Sequence, residues 1–201
     1  IGVTEVSVKG FPDSYKPPDA NYDVPGFNDP YSYKLNVPHT EPYWVQALEM
    51  DQAETNIVPI LLDHDRVISF SFPESQPGYY HFGITGWQPA TDKMKVATRE
   101  IISKLENVLD ISFVEVNEPN ANNVITIGQS LQVTSSGLSY YPNSYYEIGM
   151  DVFISTKSAN PGFIGNGRTN YDYEVLLHEI GHALGLKHPF EASGTNNVIL
   201  S

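Results

Sequence analysis

Residues 173–189 read Tyr173-Glu174-Val175-Leu176-Leu177-His178-Glu179-Ile180-Gly181-His182-Ala183-Leu184-Gly185-Leu186-Lys187-His188-Pro189, and architecture and chemistry both follow from them. Val175, Leu176, Ile180, Ala183 and Leu184 recur at three- and four-residue spacing, which predicts an amphipathic helix. His178 and His182 stand four apart, one turn above each other on a single face. Two imidazoles so placed can reach one metal ion at the Zn–N distance of about 2.0–2.1 Å. Glu179, one step round the helix, lies beside that ion and not on it. From there it can take a proton from an activated water and later hand it to a leaving amine. Gly185 lets the helix stop, because glycine enters the left-handed region without steric cost. The turned chain can then return His188 as a third ligand, leaving a fourth position for water and substrate.

Two plainer readings compete with this one. A core helix could use its histidines for hydrogen bonds alone, but it would not call for five demanding residue types at these spacings. A structural zinc site recruits four protein ligands, often cysteines, and this chain has no cysteine. Catalytic zinc is the better reading of the residues.

His178-Glu179-x-x-His182-x-x-Gly185-x-x-His188 is the motif of the metzincin metallopeptidases. Pro189 after the third histidine resembles the serralysin-type secreted bacterial peptidases within that group. The resemblance extends over roughly residues 65–190. Val67–Phe72 looks like the family's first strand, Asp92–Asp110 like its long first helix, and Ile111–Val116 and Asn123–Gly128 like the next two strands. It implies an α+β fold: a twisted mixed β-sheet backed by a long helix, with a second helix carrying the zinc motif. It further implies a secreted, extracellular bacterial zinc endopeptidase. Zn2+ would be held by His178, His182 and His188, Glu179 would be the catalytic base, and a polypeptide would be the substrate. Gly137-Leu138-Ser139-Tyr140-Tyr141-Pro142 is similar to the family's exposed antiparallel edge strand, which pairs with extended substrate backbone, and Gly137, Leu138, Ser139 and Tyr140 would be its substrate-binding residues. An ordinary edge strand ended by Pro142 fits the same residues.

The rest of the chain is consistent with one well-buried domain and an appendage. A net charge of −13 argues against nucleic acid or an anionic membrane surface as a partner. The many Asp and Asn residues leave Ca2+ open as a second ion. No apolar run reaches the roughly 18 residues of a membrane span. The opening at Ile1, without a charged and apolar leader, reads as a processed terminus. Residues 1–60 form an N-terminal proline-rich extension. Within it, residues 1–10 alternate as a strand, and prolines from Pro12 to Pro38 forbid helix. That stretch is a linker or surface loop or, on a sharper reading, a pro-segment reaching the zinc as in a zymogen. A short helix opens at Thr40 and ends near Asp51, and Ile57–Leu62 reads as an edge strand.

Residues 61–201 are expected to form the catalytic domain. His39, His64 and His81 stand alone in loop-like sequence and are not expected to be ligands. Glu74–Pro89 reads as a loop, and Thr91 caps a helix whose apolar positions are Met94, Ala97, Ile101, Leu105 and Val108. Strands are expected at Val67–Phe72, Ile111–Val116, Val124–Gly128 and Ile148–Ser155. The first two flank the long helix, which suggests one parallel crossover. No internal repeat appears.

One departure from the family pattern stands out. Met50, Met94 and Met150 all precede the motif, so none can form the methionine turn that the family places beneath its zinc. Either a second fragment of the same enzyme supplies that turn, or the zinc site is incomplete. A non-catalytic zinc-containing interaction or surface protein on a peptidase scaffold is therefore the second functional reading. An amidase or other metallohydrolase is a distant third.

Overall fold

The computed structural model describes residues 43–50, 66–80, 84–117, 124–132, 134–142, 148–156, 170–193 and 198–200. The expected strand in residues 1–10, the proline-rich segment and the Ile57–Leu62 run lie outside them, as do His39, His64, His81 and the 60/61 boundary. Three helices are described: α1 (Tyr43–Gln46), α2 (Asp92–Glu106) and α3 (Asn170–Ala183). None of them is long and apolar enough to cross a membrane.

Helix α2 starts where its cap predicts. Thr91 is extended and its side chain accepts from the Met94 N–H, while Asp92 in the first turn and Lys104 in the last both complement the helix dipole. Met94, Thr98, Ile101 and Ile102 form its buried stripe. The helix ends at Glu106, short of the expected Asp110, and Val108 is exposed. The chain turns there because the next strand needs its ends tied. Glu106 accepts the Phe113 N–H at 2.8 Å, and Asp110 pairs with Arg66.

The strands are β1 (Val67–Ser71), β2 (Gln88–Pro89), β3 (Ser112–Glu115), β4 (Val124–Ser130), β5 (Gly137–Ser139) and β6 (Val152–Ser155). They form one mixed sheet in the order β3-β1-β4-β6-β5, with β2 antiparallel to β4 off that path. β1 and β3 flank α2 in sequence and pair in parallel, Val67 opposite Ser112 and Phe70 opposite Glu115, as the crossover reading expects. β4 runs parallel to β1 and β6, and β5 turns back antiparallel on β6 at the sheet's end. The architecture is α+β.

Alternation along the strands sorts the core into two faces. Ile68, Phe70, Ile125, Ile127, Val152 and Ile154 meet Met94, Ile101, Leu176 and Ile180, so α2 and α3 cover the same side. Phe153 points the other way, against Tyr80 and Ile84 of the 74–87 segment. Its described residues are irregular as expected, except that Gln88 and Pro89, read as loop, add a two-residue pair to β4. β6 begins at Val152 and not at Ile148. Met150 sits at φ 72 in a turn, a left-handed conformation that interrupts strand geometry and costs about 1–3 kcal/mol. Its side chain is fully buried, which offsets that strain.

α1 is shorter than its sequence suggests, because residues beyond it are drawn into a different partnership. Glu49 forms an antiparallel bridge with Leu186, Met50 N–H donates to Gly185 O at 3.2 Å and Lys187 N–H to Leu48 O at 2.8 Å.

Candidate metal centre

Helix α3 presents its two sides to different neighbours. Leu176, Ile180 and Ala183 are fully buried against the sheet, at i, i+4 and i+7. His178 and His182 project from the opposite side of the helix. The helix ends through a paired hydrogen-bond motif: Gly185 N–H to His182 O at 2.9 Å and Leu186 N–H to Gly181 O at 3.0 Å. That closure puts Gly185 at φ 92, the left-handed conformation for which glycine was expected there. The chain then doubles back and delivers His188.

The three imidazoles converge. His178 Nε2 lies 2.9 Å from the Nε2 of both His182 and His188, and the latter two are 3.1 Å apart. The outer nitrogens decide what these inner ones can do. His182 Nδ1 is 2.6 Å from Leu186 O. A carbonyl only accepts, so Nδ1 carries the proton and Nε2 presents a lone pair. His188 Nδ1 is 3.2 Å from the Glu191 carboxylate, which fixes the same tautomer. With both rings neutral, two lone pairs would face each other 3.1 Å apart, an arrangement that repels unless a proton or a metal ion lies between them. Burial and the mutual proximity of the rings hold His178 below the usual histidine range, and burial lowers His182 as well. Three imidazoles with converging Nε2 atoms are a donor set suited to zinc. Among the described residues, this triad is the one group of three or more side chains placed to share a metal.

Glu179 is 7% exposed, and burial pushes its carboxyl up to about 7. It packs directly on β5. A Cβ at Gly137 would lie 2.5 Å from Glu179 Oε1, so only glycine leaves room for this carboxylate. The strand is further tied to the start of α3 by Ser136 Oγ and the Tyr171 hydroxyl, 2.7 Å apart. Tyr140 N–H donates to Asp151 O, and Tyr140 O accepts from Met150 N–H, so Tyr140 spends both backbone groups on the inner side. By the two-residue alternation of an antiparallel ladder, Gly137 and Ser139 turn theirs outward. Among the described residues no strand pairs with that outer edge. Leu138 pairs with Phe153, and the Tyr140 ring packs on Phe153.

The structure thus brings His178, His182 and His188 together and places Glu179 against Gly137. Of the four edge-strand residues, two offer outward backbone and two face β6. Two neighbours escaped the sequence reading. Tyr141 packs edge-on against the His182 ring at 5.4 Å. It lies two residues past the end of β5, which was the available signal. Lys187 is the other, a cation set among Leu186, His188 and a buried helix end.

Serralysin of Photorhabdus laumondii is 26% identical to the chain over 133 residues, covering 65% of the chain and 27% of that protein. Serralysin of Proteus mirabilis is also 26% identical, over 144 residues that cover 65% of the chain and 29% of that protein. The chain therefore spans little more than a quarter of the length of these curated relatives. No family model matches it. These matches support a relationship to serralysin-like metalloproteases, and the histidine triad agrees with it.

Proposed function

We propose that the protein is a secreted bacterial zinc endopeptidase that hydrolyses peptide bonds in polypeptides. The observation that carries this reading is the convergence of three histidine Nε2 atoms on and just after a helix whose buried Glu179 carboxylate touches an open strand edge. His178, His182 and His188 would hold the ion. When bound, zinc polarises the scissile carbonyl and brings the pKa of a water toward about 7.

The chain's own residues do the rest. The outward N–H and C=O groups of Gly137 and Ser139 can hold an extended substrate by adding it as a strand to the sheet. Glu179 sits where that edge meets the metal ligands. Its Oε1 can accept a proton from the attacking water and later return it to the departing amine. Burial supports this role, since it raises the carboxyl's hold on a proton that it must first take and then give back. The hydrogen bonds from the His182 and His188 Nδ1 atoms keep the ligand rings turned inward throughout.

Glu179→Gln tests the reading. It keeps the shape of the side chain and removes the base. The expected result is unchanged zinc content with casein hydrolysis reduced at least 100-fold, the lower end of what general acid–base catalysis contributes. Hydrolysis at the wild-type rate would overturn the mechanism.

A further inference from the structure

Lys187 has no part in the chemistry above, yet it is one of the most buried charged residues described, at 3% exposure. Its ammonium group lies 2.6 Å from Ala47 O, 2.6 Å from Glu191 O and 3.0 Å from Val198 O. Three donors meet three backbone carbonyls, so the cation's hydrogen-bonding capacity is filled without any carboxylate partner. The acceptors come from three separate parts of the chain: the end of the α1 segment, the loop after the third histidine, and the segment at 198–200. Lys187's own backbone N–H adds a fourth tie, to Leu48 O at 2.8 Å.

Glu191 is where this network reaches the metal ligands. Its carbonyl accepts from Lys187 Nζ, while its carboxylate lies 3.2 Å from His188 Nδ1. The lysine therefore fixes the backbone of the residue whose side chain orients His188. His188 is the ligand that needs such help. His178 and His182 are held by a helix, whereas His188 rides on the chain that follows it.

We propose that Lys187 is a positioning residue for the zinc site, acting through Glu191 to hold His188 with its Nε2 toward the other two histidines. The inference rests on the zinc reading above and adds to it a residue that touches neither metal nor substrate. Loss of an outer partner of a ligating histidine ordinarily weakens metal binding about 10- to 100-fold. Lys187→Met, which keeps length and apolar stem but loses the three donors, should weaken zinc binding by about that factor. Glu191→Ala should weaken it similarly. Because both act along one path, the double variant should bind about as well as Lys187→Met alone, and the two losses should not multiply.

Zinc affinity is read by competition with a chromophoric chelator, at a temperature where circular dichroism shows each metal-free variant folded. Unchanged zinc affinity in Lys187→Met, whatever its thermal stability, would overturn the proposal, and so would losses that multiply in the double variant. Should Lys187→Met fail to fold, Lys187→Arg takes its place. A flat guanidinium keeps the charge but cannot match three converging carbonyls, so weaker zinc binding is again expected and unchanged affinity overturns the proposal. The wild-type protein in the same assay separates the two levels. Absence of zinc binding there overturns the metal reading itself, whereas equal binding by wild type and variant overturns only the role of Lys187.

Discussion

Asp151 is fully buried, and its Oδ2 accepts hydrogen bonds from the Tyr80 hydroxyl at 2.7 Å and the Tyr79 hydroxyl at 3.1 Å. Its Oδ1 is buried without a hydrogen bond. Burial pushes the carboxyl well above its ordinary value of 3.8, and the tyrosine hydrogen bonds only partly oppose this. The folded protein therefore holds this proton to higher pH than the unfolded chain does. Between the two pKa values the folded state binds more protons, so stability falls as pH rises. Asp151→Asn keeps the shape and removes the titration. Denaturant unfolding from pH 3.5 upward should show the wild type losing stability relative to Asp151→Asn once pH passes about 4, the ordinary aspartate value. A difference independent of pH would refute this account of Asp151. Nothing in the sequence around Met150-Asp151-Val152 marked the residue, because its tyrosine partners lie 71 and 72 positions away.

At the scale of elements, the contact between β5 and α3 is where architecture meets chemistry. A methyl group at Gly137 would overlap the Glu179 carboxylate, so Gly137→Ala must displace either the strand edge or Glu179. A displacement of about 1 Å near the chemistry can cost about 100-fold in rate. Gly137→Ala should therefore lower kcat by about that factor and leave zinc content unchanged, since none of the triad contacts involves Gly137. Full activity in this variant would show that Glu179 does not depend on the strand. The elements themselves were largely legible in the sequence. Thr91 and the Met94–Ile101 spacing marked α2, and the apolar positions of α3 coincide with its buried side. Ends were less legible. β6 starts late because Met150 takes a left-handed turn that its side chain does not suggest. α2 stops early, and at its end Glu106 accepts from Phe113 N–H of β3 while Asp110, beyond it, pairs with Arg66 ahead of β1.

Across the whole molecule, sheet order brings together what sequence order separates. β5 precedes β6 in the chain but lies outside it at the sheet's end, which sets Gly137 beside the helix carrying Glu179. The local half of the site, His178 to His188, could be read from spacing alone, because helix geometry and one glycine fix it. The support around it could not. Lys187 bonds a carbonyl 140 residues away, and backbone carbonyls carry no side-chain signature. Everything in this account turns on whether the triad takes up metal. The direct measurement is metal analysis with native mass spectrometry on the wild-type protein and on His182→Ala, both purified without chelator. One zinc per wild-type chain, lost in His182→Ala, is the predicted result. A wild-type protein free of zinc even after incubation with it, or a His182→Ala variant that binds it equally well, would contradict the account at its centre.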